Sequence, residues 1–112
     1  LGIRYAVNNG AKIINMSFGK SFSPEQPWVD SAIRYAASKD VLIIHSAGNE
    51  SYDLNVKSVY PSPFSNVFKD KAINMITVGA SSDPVIAESI VTDFSNYGNK
   101  IVDLLSPGKK IY

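Results

Sequence analysis

The sequence predicts an α/β fold with a parallel-sheet core built around a βαβ unit. Three observations carry that prediction. Lys12 to Phe18 (KIINMSF) and Val41 to His45 (VLIIH) are short runs rich in aliphatic and β-branched residues, the pattern of strands buried on both faces. Between them Val29, Ala32, Ile33, Ala36 and Ala37 recur at spacings of three and four, while Asp30, Ser31, Arg34, Ser38 and Lys39 fall on the other side, as in an amphipathic helix. A strand, a crossover helix and a second strand in so short a span pair in parallel through a right-handed connection.

Taken in order, residues 1–9 place Leu1, Tyr5 and Asn8 on one side and Ile3, Ala6 and Val7 on another, the tail of a helix that Asn9-Gly10 closes with a left-handed residue. The first strand follows, bounded by Gly10 and Gly19. The amphipathic helix is expected over Ser23 to Lys39. Ser23-Pro24-Glu25-Gln26 fits a capping box with proline at the first helical position, and Pro27 offers a start one turn later. After the second strand, Ser51 to Asp70 has no clear period and reads as a long irregular loop. Ile73 to Val78 (INMITV) and Ile101 to Leu105 (IVDLL) are further strands, separated by a turn-rich connection around Thr92 to Gly98 (TDFSNYG). No helix fits between these two, which leaves parallel, antiparallel and irregular arrangements open.

Composition bounds the function. At 112 residues and 45% hydrophobic content the chain is long enough for one core. Its net charge of +1, with basic residues scattered singly apart from Lys109-Lys110, offers no stripe for nucleic acid or an anionic membrane. No apolar run reaches the length of a membrane span. The absence of cysteine excludes disulfides and thiolate metal sites. The beginning, LGIRYAVNNG, has neither an initiator Met nor a signal-peptide pattern, and the chain stops on the apolar pair of KKIY, so residues 1–112 read as one partial domain cut from the middle of a longer protein.

Ligands of parallel sheets bind beyond the carboxyl ends of the strands, so Ser17 to Lys20 and Ser46 to Glu50 are expected side by side at a site. Taken alone, Ala47-Gly48-Asn49-Glu50 has two readings. Gly48 and Asn49 supply a permissive turn, or Gly48 lets a ligand approach while the Asn49 amide donates into the site. A phosphate loop fits poorly, because Glu50 and Asp53 bring carboxylates and no helix period follows. His45, the sole histidine, lies inside an apolar strand without a carboxylate at a fixed spacing and reads as structural. Asp30-Ser31 reads as part of a solvated helix face rather than as an acid and a nucleophile.

The ordered set is more specific than any piece: INMSFG (Ile14 to Gly19), a helix, VLIIHSAGNE (Val41 to Glu50), Tyr60-Pro61, INMITVGA (Ile73 to Ala80), DFSNYG (Asp93 to Gly98) and VDLLSPG (Val102 to Gly108). In order and approximate spacing it resembles the subtilisin-like serine proteases, the subtilases, over nearly the whole chain. The resemblance implies the middle part of a three-layer catalytic domain. It implies that Asn49 is the side-chain donor of the oxyanion hole, that Ser46, Ala47 and Gly48 form one wall of the pocket for the residue before the scissile bond, and that Ser17, Phe18 and Gly19 form the facing wall, pairing with the extended substrate as an added strand. It further implies a cis bond at Tyr60-Pro61. Lys20 departs from the family, where a second glycine is frequent.

The triad motifs D-[ST]-G, H-G-T and G-T-S-M-A are all missing: Asp30 and His45 are each followed by other residues, and the chain stops before the expected nucleophile. The expectation is therefore a serine endopeptidase as the full-length parent, acting on peptides or proteins, with this segment inactive alone. The alternative from a different class is a non-catalytic α/β module that holds a peptide or small ligand between the same two turns. No cofactor pattern is present. Calcium enters only through the resemblance, with Asp53, Asp70, Asp83 and Glu88 available but without ligand spacing. A secreted or cell-envelope location is likewise an implication of the family, and the truncated sheet is expected to self-associate.

Overall fold

The computed structural model describes residues 1–85 and 87–109. Its elements are α1 (Gly2–Asn8), β1 (Ile13–Met16), α2 (Gln26–Ser38), β2 (Leu42–Ser46), β3 (Phe64–Ser65), β4 (Asp70–Lys71), β5 (Met75–Ser81) and β6 (Leu104–Pro107). Four strands form one sheet in the order β1-β2-β5-β6, every neighbouring pair parallel. The βαβ unit is therefore β1-α2-β2, as the periodicity predicts. Gly10, at φ +87°, ends α1, and the Ala11 N–H returns to the Ala6 carbonyl.

The helix α2 starts later than the Ser23 capping box would place it. Pro27 sits in its first turn and no side chain caps its N-terminus. Proline fixes the helical φ and lacks the N–H that has no partner there, so the second of the two starts wins.

The last two strands pair in parallel although no helix joins them. Their connection makes its own turns, with the Ile101 and Val102 N–H groups bonded to the Gly98 carbonyl. Ile101 and Val102 thus pack beside Ala47, Leu54 and Val59 instead of extending, which is why β6 begins at Leu104 and not at Ile101. The Asp103 carboxylate accepts the Thr77 N–H at 2.8 Å and fixes the point where β6 joins. Within the long loop, β3 and β4 form a short antiparallel pair.

One face of the sheet is covered by both helices. Val7 of α1 and Ile33 and Ala36 of α2 pack on Met16, Ile43 and Met75, with Val41 completing the cluster. Burying each large aliphatic side chain here stabilises by about 1.5–3 kcal/mol. Asp30, expected on a solvated helix face, is instead 4% exposed. The loop around Ser65 folds over α2, and the Ser65 hydroxyl donates to the Asp30 carboxylate at 2.7 Å. A helical period locates the polar edge of α2 but carries no information about a loop that arrives from 35 residues later.

The second face alternates out of phase with the first: Ile13, Leu42, Ile44, Ile76, Val78 and Leu104 share it by strand register. Ile13 is 64% and Leu104 46% exposed, and among the described residues no helix lies over them. The described residues make two layers, a helical one and the sheet, and leave this apolar face without a helix. Together with the open edge of β1, it leads us to expect association of the isolated 112-residue chain at micromolar concentration. Sedimentation velocity reads it directly: dimers or larger species support the expectation, and a compact monomer throughout the range counts against it.

A candidate substrate cleft at the carboxyl ends of β1 and β2

The parallel register puts Met16 opposite His45, so the segments that follow, Ser17 to Lys20 and Ser46 to Glu50, leave the sheet at the same end. His45 ties them together. Its Nε2–H donates to the Phe18 carbonyl at 3.2 Å, while Nδ1 is buried without a partner among the described residues. The ring is 3% exposed and burial holds its pKa below the ordinary 6.5. His45 is thus a neutral structural donor. Because the unfolded chain takes up a proton near pH 6.5 that the folded chain resists, stability is complete above that pH and falls as pH drops below it. His45→Gln, which retains an N–H donor, should lose less stability than the unsubstituted chain between pH 7.5 and 5.5 in urea titrations.

On the β1 side, the Ser17 hydroxyl accepts a hydrogen bond from the Asn15 amide at 3.1 Å, and Phe18 stands 63% exposed. Lys20 and Tyr60 exchange backbone hydrogen bonds of 2.9 and 2.8 Å, and Tyr60-Pro61 is cis, as the resemblance implied. The Lys20 side chain turns away to Glu25 at 3.2 Å, an exposed ion pair. Its bulk is therefore directed along the surface toward α2. Phe18, Gly19, Trp28, Val29, Tyr60 and Pro61 line an open, mainly apolar cleft of about 450 Å³ beside this segment.

On the β2 side, Ala47 is buried and its N–H remains in the ladder to the Val78 carbonyl at 2.8 Å. Gly48 then takes φ +101°, in the left-handed region that an L side chain avoids. The turn delivers Asn49 to an exposed position, with its backbone N–H donated to the Glu50 carboxylate at 3.1 Å. Its side-chain amide has no hydrogen-bond partner among the described residues, so both of its N–H donors are unengaged. All seven sequence-nominated residues, Ser17, Phe18, Gly19, Ser46, Ala47, Gly48 and Asn49, thus gather at one end of the sheet.

Asn96 is the residue that the sequence reading passed over. It belongs to DFSNYG, which served there only as a family signature. In the structure it is fully buried and bonds the turn on both sides of Asn49: Nδ2 donates to the Ala47 carbonyl at 2.9 Å and to the Glu50 carboxylate at 2.6 Å, while Oδ1 accepts the Glu50 and Tyr52 N–H groups at 3.0 and 2.8 Å. Its own N–H donates to the Gly48 carbonyl at 3.0 Å. A polar residue in a glycine-bounded turn gave no hint of such a role.

Asp70 pairs with Arg34, Asp53 and Asp83 accept N–H groups from their own turns, and among the described residues no three His, Asp or Glu side chains gather.

A family model described as Subtilase family (Peptidase_S8) matches residues 1–112. Thermitase of Thermoactinomyces vulgaris is 34% identical over 111 residues, covering 99% of this chain and 33% of that protein. The Major intracellular serine protease of Bacillus subtilis (strain 168) is 33% identical over 112 residues, covering 98% of this chain and 30% of its own length. Among solved structures, Prenylagaramide maturation protease PagA superposes with a TM-score of 0.71 at 31% identity, over 97% of this chain and 35% of PagA. The chain thus spans about a third of the length of these three relatives. With its parallel α/β core, its two converging strand ends and a match along its whole length, this chain belongs to the subtilase family of serine proteases.

Proposed function

We propose that the chain supplies the oxyanion donor and two substrate-binding edges of a serine endopeptidase whose Ser, His and Asp lie outside these 112 residues. The observation that carries this reading is Asn49: an exposed amide with an unengaged donor, just beyond a parallel strand and at the same end of the sheet as the exit of β1. Peptide hydrolysis builds negative charge on the scissile carbonyl oxygen. An N–H already aimed at the position of that charge lowers the barrier without reorganising during the reaction. Ser17, Phe18 and Gly19 would hold the extended peptide by main-chain pairing, which needs little side-chain identity. Ser46, Ala47 and Gly48 would form the opposite wall, with Ala47 buried and the turn at Gly48 exposing the edge.

Without a nucleophile or general base, the segment alone should not turn over. The test is hydrolysis of a casein digest by the full-length protein and by the 112-residue chain, each with and without a serine-directed phosphonofluoridate. The reading expects inhibitable cleavage by the full-length protein and none by the chain. Cleavage by the chain alone, or uninhibited cleavage by the full-length protein, contradicts it. A secreted or cell-envelope location belongs to the same proposal and is read by fractionation, since the Bacillus subtilis relative is named an intracellular protease.

A further inference from the structure

We propose that Asn96, with Glu50, is a positioning device that fixes the direction in which Asn49 donates. This inference rests on the oxyanion reading of Asn49 and extends it to two residues that hydrogen-bond the turn carrying it.

The geometry argues for direction as well as stability. Asn96 uses every polar atom of its side chain, two N–H donors and two acceptor lone pairs, on Ala47, Glu50 and Tyr52. With its backbone N–H on the Gly48 carbonyl, it holds the chain immediately before and after Asn49 and leaves the Asn49 side chain untouched. Glu50 completes the bracket. Its carboxylate, held by Asn96 at 2.6 Å, accepts the Asn49 backbone N–H at 3.1 Å, so the peptide plane that carries the Asn49 side chain is itself fixed.

Asn96 is anchored in turn. Ser95 Oγ donates to the Asn96 carbonyl at 2.9 Å and accepts the Ala80 N–H at 2.9 Å, which ties the device to β5 in the middle of the sheet. Ser51 N–H to the Phe94 carbonyl and Tyr97 N–H to the Tyr52 carbonyl bind the two segments on either flank. A rigid sheet strand therefore sets the orientation of an exposed turn through one buried amide. Only a side chain with both donors and acceptors at this reach can do so. An aspartate would place a second carboxylate against Glu50, and a serine lacks the atoms to span Ala47 and Tyr52.

A purely structural role predicts lost stability and equal kinetic loss in any background. A positioning role predicts that the loss passes through Asn49. The experiment is a double-mutant cycle in the full-length protein, with kcat and KM measured well below each variant's melting temperature and competent enzyme counted by active-site titration. Asn96→Ala should lower kcat by about 10- to 100-fold with a smaller change in KM. Glu50→Ala, on an exposed residue and so safe for folding, should lower it by about 3- to 10-fold, and Glu50→Gln, which keeps an acceptor, should recover most of that loss. With Asn49 already replaced by Ala, each of these substitutions should change kcat by less than about twofold.

Equal losses in both backgrounds overturn the proposal, as does unchanged kcat for Asn96→Ala or Glu50→Ala while Asn49→Ala is strongly impaired. Should Asn96→Ala fail to fold, the Glu50 pair carries the same cycle. If Asn49→Ala itself leaves kcat intact, the oxyanion reading falls and the positioning role falls with it, a result distinguishable from failure of the cycle.

Discussion

Replacing Asn49 with Ala in the full-length protein is expected to lower kcat by about 100- to 1000-fold and to leave KM within a few-fold of its original value. That size is the one established for such a donor in a subtilisin, a relative by family, and is not calculated from this structure. The split between the two constants follows from where the charge develops. In the bound substrate the carbonyl oxygen carries little charge and draws little on the amide. In the transition state it is an oxyanion, and the missing hydrogen bond is felt in full. Because Asn49 is exposed and makes no side-chain hydrogen bond among the described residues, its truncation should barely move the melting temperature. Steady-state kinetics on a peptide substrate, paired with a thermal melt, checks both halves. A matched loss of stability and activity would mean that Asn49 supports the fold instead of the reaction.

Gly48→Ala should cause the second large effect, through the backbone. At φ +101° an L residue is strained by about 1–2 kcal/mol, and an added Cβ would lie 2.5 Å from Asn96 Nδ2 and 2.6 Å from a Glu50 carboxylate oxygen. The Glu50 side chain can swing away at modest cost. Asn96 cannot, because it is fully buried and bonded on every polar atom. The turn must yield, so we expect at least about 2 kcal/mol of lost stability together with a loss of kcat of roughly tenfold or more. Urea unfolding and kinetics on the same preparation measure the two together. Gly48→Ala that melts and turns over like the unsubstituted protein would contradict the packing described for this turn.

The two effects also show why part of the site was legible in the sequence. Two short aliphatic runs, with a period-3.6 segment between them, determine β1, α2 and β2 and hence the end of the sheet where a ligand would bind. Asn49 follows from its place just beyond β2 once the ordered motifs are read together. Asn96 did not follow, because its partners are mostly backbone atoms 44 to 49 residues away, and backbone groups leave no signature in side-chain identity. Asp30 was misplaced for a similar reason: its cover is a hydroxyl from a loop that the helical period of α2 cannot foresee. The parallel pairing of β5 and β6 stayed open because the usual cue, a crossover helix, is replaced by turns anchored on Gly98 and by the Asp103 carboxylate. What local pattern specifies was readable, and what long-range polar contacts specify was not.

The central claim is that Asn49 donates to the oxyanion formed during peptide hydrolysis. A crystal structure of the full-length protein bound covalently to a peptidyl aldehyde or boronate, in which the trapped oxygen occupies the oxyanion position, tests it most directly. The account predicts that oxygen about 2.7–3.1 Å from Asn49 Nδ2, with the peptide main chain lying along Ser17 to Gly19. An adduct whose oxygen lies beyond hydrogen-bond reach of Asn49, held by other donors while the turn at Gly48 keeps its present shape, would contradict it.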